Sequence, residues 1–286
     1  MRKLIQLSPS TAVVSLPSRW VKKHSLAKGD ELSVQELGNQ LVISTSKHVT
    51  TSAVTVDVRA LPDKLVWTAC DAAYIAGHDE ITFVYTAHQA STLEFVKNEV
   101  PGMLVTRQQG NSLTLKDITA GKSEDVHSII TRILHMISDL LDQAVSAAKR
   151  KEWASLAKMK ERDYAINSYI SYAQRQINKF GFEKTYSSNL IVTLLKLCEM
   201  FADQACGLCT RSAESKQDQA RVLEQTLITW RETVLLFLGY TEARLIASES
   251  ARTRIPKVKG DENGAQLANT LFDILEVIVQ IQSSRT

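Results

Sequence analysis

Apolar and polar positions change their rhythm twice along the chain. Up to about residue 48 they alternate in short runs, as in Glu31-Leu32-Ser33-Val34 and Gln40-Leu41-Val42-Ile43, punctuated by Gly29-Asp30 and Gly38-Asn39. Period-two alternation bounded by turn residues predicts short strands. From 53 to about 118, strand and helix signals take turns. Strands are predicted at 53–58 and 80–85, and a helix at 63–76 is ended by Gly77. A second helix, about 88–98, stops before Pro101-Gly102, and strands at 103–108 and 112–118 flank Gly110-Asn111. This βαβαββ order predicts one sheet with helices on one face. From Ser123 onward Val126, Ile129, Ile130, Ile133, Leu134, Ile137, Leu140, Leu141 and Val145 recur three and four apart, which lays an apolar stripe along one helix. Further helices are predicted at about 152–179, 187–211, 217–252 with a break near Gly239, and 264–283. A bundle is the economical way to bury such stripes. The pattern gives a multi-domain α+β chain with units at 1–48, 49–122 and 123–286.

The 286 residues are 44% hydrophobic and 23% charged, enough to build cores and unlike a disordered chain. No run of about 18 apolar residues occurs, and Met1-Arg2-Lys3-Leu4-Ile5-Gln6 lacks the apolar core of a signal peptide, so a cytoplasmic protein without membrane insertion is expected. Cys70, Cys198, Cys206 and Cys209 are too few for a disulfide scaffold and read as reduced thiols. Cys206-Gly207-Leu208-Cys209 lies inside a predicted helix, with no preceding strand and no second ligand pair, which favours a packed helix face over redox or zinc chemistry. The histidines show no metal spacing except His127 and His135, eight apart on one predicted helix. No phosphate-cradling glycine loop, nucleophile elbow or His-Glu-x-x-His appears, so the chain reads as a binding protein and not an enzyme.

Charge sharpens the first unit. Residues 1–48 hold Arg2, Lys3, Arg19, Lys22, Lys23, Lys28 and Lys47 against Asp30, Glu31 and Glu36, an excess of four positive charges that exceeds the whole chain's +3. A piece this small, without disulfide or metal, cannot bury a sufficient core alone and should pair with a second copy. Pairing doubles the positive charge on one surface, a geometry suited to DNA phosphates. Charge alone leaves open that Lys22 and Lys23 are simply the solvated face of a short helix.

The order Ser15-Leu16-Pro17, Val21-Lys22-Lys23 and Gly29-Asp30 before Leu32 and Val34 resembles the SpoVT/AbrB-type swapped-hairpin DNA-binding module. The resemblance implies an intertwined dimer, a swapped-hairpin β-barrel, that contacts DNA through Arg2, Lys3, Arg19, Lys22 and Lys23. The hairpin tip Ser8-Pro9-Ser10-Thr11 is uncharged where that family often carries arginine. Lysine contacts phosphate as a point charge without the bidentate reach of arginine.

In the helical part, Glu199 and Asp203 stand four apart on one helix face, where like charges repel by a few tenths of a kcal/mol that a cation or basic partner would relieve. They border an apolar stripe beside the small Ala202 and Cys206, and acidic pairs of this spacing are also common on solvated helices. Together with the upstream "KMKERDYAINSYISYAQRQI", the motif resembles the PhoU family of phosphate-uptake regulators over residues 123–286. That family repeats a three-helix unit and holds metal on its acidic motifs in some members. Asp163, Glu199 and Asp203 match those motifs, with Asn167 replacing one acid; at the second repeat's spacing stand Asn269 and Asp273. The ions implied are Mg, Zn or Fe, and oxygen ligands favour hard cations. "DAAYIAGHDEITFVY", through Tyr74, Gly77, Asp79, Glu80 and Ile81, is similar to the connector of archaeal chains that join an AbrB-type head to a PhoU-type tail. The resemblances imply a dimeric or larger transcriptional regulator of phosphate homeostasis. The rival expectation is a non-DNA adaptor that binds a phosphate transporter or signalling kinase.

Overall fold

A computed structural model describes residues 2–37, 40–45, 52–119, 124–181, 188–256 and 262–284. The Gly38-Asn39 turn, the helix start at Ser123 and the unit boundaries at 48/49 and 122/123 lie outside the described residues. The first unit consists of β1 (Ile5–Ser8), β2 (Thr11–Val13), α1 (Ser18–Lys23), β3 (Ser33–Leu37) and β4 (Gln40–Ser44). Its strands form two separate antiparallel hairpins, β1-β2 and β3-β4. The described residues of this single chain form no closed barrel, and no described side chain between residues 2 and 45 is buried.

The second unit follows its alternating pattern closely. β5 (Ala53–Asp57), α2 (Asp63–Ile75), β6 (Glu80–Val84), a 3₁₀ turn at Ala87–Gln89, α3 (Ala90–Val96), β7 (Met103–Gln109) and β8 (Ser112–Asp117) build a four-stranded sheet of order β5-β6-β8-β7. β5 and β6 run parallel, as a strand-helix-strand crossover requires, and the β6-β8 and β8-β7 pairs are antiparallel. Every second residue of the two central strands, Ile81, Phe83, Leu113 and Leu115, is buried. On the opposite face Thr82 and Thr114 meet hydroxyl to hydroxyl at 3.0 Å.

The helical unit contains α4 (Val126–Lys149), the short α5 (Trp153–Ala157), α6 (Met159–Phe180), α7 (Ser188–Ser215), α8 (Ala220–Leu238), α9 (Glu242–Arg252) and α10 (Asn263–Ser283). α4 begins where the Asp125 side chain accepts a hydrogen bond from the His127 amide. The helix expected at 152–179 is split at Lys158, whose amide bonds back only three residues to Ser155, so that both Leu156 and Met159 are buried. The break near Gly239 is present: Gly239 follows α8, and the Thr241 hydroxyl accepts from the Arg244 amide to start α9. α4, α6 and α7 pack together, as do α8, α9 and α10, and the two sets meet through α4 against α8 and α7 against α10. At their centre the buried Trp230 stacks on Phe201 at 4.8 Å and donates to the Leu134 carbonyl at 3.2 Å. Among the described residues no helix is long and apolar enough to cross a membrane.

α6 is shared between the second and third units. Buried Arg175 donates to the Tyr74 carbonyl (2.8 Å), the His78 carbonyl (2.7 Å) and the Asp117 carboxylate (2.8 Å). One turn on, Lys179 bridges Asp117 (2.6 Å) and Asp79 (2.5 Å). Gly77 ends α2 at φ +88°, and a β-carbon there would approach the Lys179 β-carbon to 3.1 Å. Glycine therefore serves twice, for its left-handed backbone and for the close approach of α6.

Candidate nucleic-acid interface and acidic cluster

Pro17 precedes α1 with extended backbone, and its carbonyl accepts the first helical bond from the Val21 amide at 3.0 Å. Lys22 and Lys23 fall in the last turn, the helix end where positive charge is favoured. The chain then reverses through Leu26 to Asp30. The Ala27 amide donates to the Asp30 carboxylate at 2.6 Å, and Gly29 takes φ +96°. Trp20 is half-buried against His24, ring centroids 4.8 Å apart, and does not enter a core.

Arg2, Lys3, Arg19, Lys22 and Lys23 are all exposed, and none forms an ion pair among the described residues. Arg2 donates to the Ser15 hydroxyl at 2.9 Å. Lys28, beside the turn, is a further exposed cation that the motif comparison did not single out. The apolar side chains around them are equally uncovered: Leu4 is 72%, Leu7 68%, Leu41 61% and Val34 58% exposed. Apolar surface of that kind within one small piece marks an interaction surface. The β1-β2 tip at Pro9-Ser10 carries no charge, as the sequence indicated.

The acids on α6 and α7 are only partly assembled. Asp163 is 3% exposed; its Oδ2 accepts from the Asn167 amide at 3.2 Å, while its Oδ1 has no donor among the described residues. The Asn167 carbonyl oxygen is likewise buried without a donor among the described residues. Burial first, then the neighbouring Asp203 charge, lifts the Asp163 carboxyl well above the ordinary carboxylate range. Asp203 itself is exposed. Glu199 is turned to Lys196, which donates to both its oxygens at 2.7 Å. Asp71, on α2, also faces this group: burial raises its carboxyl, the Ser171 hydroxyl opposes this, and the Glu199 charge adds to it. Sequence spacing does not reveal Asp71, because it reaches the cluster from another unit. Among the described residues no three His, Cys, Asp or Glu side chains gather closely enough to hold a metal ion. As placed, Asp163, Asp203 and Glu199 therefore share a field but not a coordination point.

Cys206 and Cys209 are buried on α7 as free thiols, and burial pushes the Cys209 thiol up to about 12. A thiol so placed is neither nucleophile nor ready metal ligand. His127 stacks on Phe237, ring centroids 5.5 Å apart.

Comparison with known families gives one finding for this region. A family model described as "Antidote-toxin recognition MazE, bacterial antitoxin" matches residues 5–50. No curated protein and no solved structure matches the chain.

Proposed function

We propose that the chain is a DNA-binding transcriptional regulator whose first unit interlocks with that of a second copy to form a swapped-hairpin barrel. The observation that carries this reading is the pairing of two features among the described residues of 2–45: exposed cations without ion-pair partners among the described residues, and strands without a core. A second copy would cover Leu4, Leu7, Val34 and Leu41 at about 25 cal/mol per Å² of apolar surface removed from water. It would also bring two sets of Arg2, Lys3, Arg19, Lys22 and Lys23 onto one dimer. The match of residues 5–50 to a bacterial antitoxin family supports reading residues 5–50 as a separate module.

The same reading makes the helical unit a PhoU-like sensor or interaction module in phosphate homeostasis, supported by its two packed three-helix sets. Its input is a phosphate transporter, a signalling protein or a bound cation. For a cation, the orphaned oxygens of Asp163 and Asn167 are the favourable part, and Glu199 has to release Lys196 to join them.

Fluorescence anisotropy with duplex DNA across a salt series tests the DNA half. The wild type should bind with log affinity falling linearly in log salt, and Lys22→Ala/Lys23→Ala should weaken binding and flatten that slope by up to about 4 for a dimer. Unchanged affinity and slope would remove these lysines from the interface. A second reading, favoured by the description of the matching family, is an antidote that recognises a toxin protein. Under that reading duplex affinity is absent at about 100 mM salt, where specific DNA binders still bind tightly. Metal content of wild type against Glu199→Ala/Asp203→Ala decides the cation: equal content refutes a site there.

A further inference from the structure

The two three-helix sets differ in their middle helix. α6 has 22 residues, whereas α9 has 11 and buries only Ser248 and Ala251, chiefly against α8. On α10, Phe272 is left 41% exposed. Between α9 and α10 runs a groove of about 460 Å³ with Leu245, Phe272, Leu275 and Val279 as its floor and Glu249 and Glu276 on its rim. At Phe272 it continues into a second depression of about 450 Å³ that adds Arg252, Asn269 and Asp273. From Asn269 to Gln280 the groove follows α10 for roughly 16 Å, about three helical turns.

Among the described residues its unpaired charge is acidic. Glu249 is already held by Arg252 at 2.5 Å, and the Arg252 guanidinium also lies over the Phe272 ring, 4.9 Å from its centroid. Asp273 and Glu276 are exposed and have no ion-pair partner among the described residues. An apolar floor from Phe272 to Val279, about two helical turns, with acidic edges matches the apolar face of an amphipathic helix flanked by lysine or arginine. A second copy fits less well, because a two-fold contact through this stripe would set Asp273 and Glu276 near their own equivalents.

We propose that the α9-α10 groove is a docking site for a positively charged amphipathic helix of a partner protein. The test uses the full-length chain and fluorescein-labelled synthetic helices of about 18 residues, all with the same leucine face, flanked by lysine in one peptide and by glutamate in the other. By anisotropy the lysine peptide should bind at least about tenfold more tightly than the glutamate peptide. Phe272→Ala should lower its affinity by about tenfold or more, and so should Asp273→Lys/Glu276→Lys. The double charge reversal alters only exposed positions, so its result stands even if Phe272→Ala unfolds the helix pair. Equal binding of the two peptides, or undiminished lysine-peptide binding by Asp273→Lys/Glu276→Lys, overturns the proposal. It is equally overturned if that variant changes the sedimentation coefficient while neither peptide binds, which would make the groove a contact between copies.

Discussion

Replacing Arg175 by methionine should cost about 3–5 kcal/mol of stability, one of the largest single effects available in the chain. The guanidinium side chain is 2% and its Asp117 partner 5% exposed, so neither charge has water to fall back on. Methionine fills comparable volume but removes three hydrogen bonds: two to backbone carbonyls of the α/β unit and one to Asp117. Each buried group left unsatisfied costs about 1–3 kcal/mol. Lys179 still neutralises Asp117, which places the expectation toward the lower end. Burial alone would raise the Asp117 carboxyl, but hydrogen bonds from Lys179, Thr119 and Arg175 outweigh it and hold it well below the usual range. A depressed carboxylate stabilises the fold at pH values above the unfolded value near 4 and loses that contribution as pH falls. The penalty of Arg175→Met should therefore be full at neutral pH and shrink below about pH 4. Urea denaturation followed by circular dichroism, at a series of pH values, measures it. For contrast, Arg231→Met breaks an ion pair with Asp142 that is 55% and 44% exposed and should cost under about 1 kcal/mol. An Arg175→Met penalty no larger than that of Arg231→Met would refute the claim that this seam binds the α/β sheet to the helices.

Other expectations follow from the same geometry. Gly77→Ala imposes a β-carbon on a left-handed backbone and on Lys179, so it should lower stability by about 1–3 kcal/mol, read as a reduced urea midpoint; an unchanged midpoint would contradict the close approach. The four thiols are buried, with Cys70, Cys198 and Cys209 pushed up to about 12. Native protein should hence react with Ellman's reagent only as fast as it unfolds, and rapid modification without denaturant would argue against a packed Cys206–Cys209 face.

Local signals carried much of this fold. Strands β5, β6 and β8 announced themselves because one face is turned to the core and the other is not, which writes an alternation into Val54, Val56, Ile81, Phe83, Leu113 and Leu115. α4 was legible for the same reason at a different period. The start at Asp125 was not, because the nearby Ser123 offers an equally good capping chemistry. The seam of Arg175, Lys179, Asp79 and Asp117 left no trace in the sequence: its partners are 58 to 100 residues apart and no periodicity links them. At the candidate sites, exposed lysines on a short helix are the default for that residue type, so Lys22 and Lys23 were readable. Spacing put Glu199 and Asp203 on one face, but it said nothing about the burial of Asp163, the turn of Glu199 toward Lys196, or the approach of Asp71 from α2.

The central claim is that β1 to β4 gain their core only between two copies. Sedimentation equilibrium of the full chain, combined with hydrogen exchange over residues 5–44 at several protein concentrations, addresses it directly. The account predicts a dimer whose strand amides become more protected as concentration rises, since association stabilises only the paired form. A monomer with the same strands protected at every concentration would contradict it.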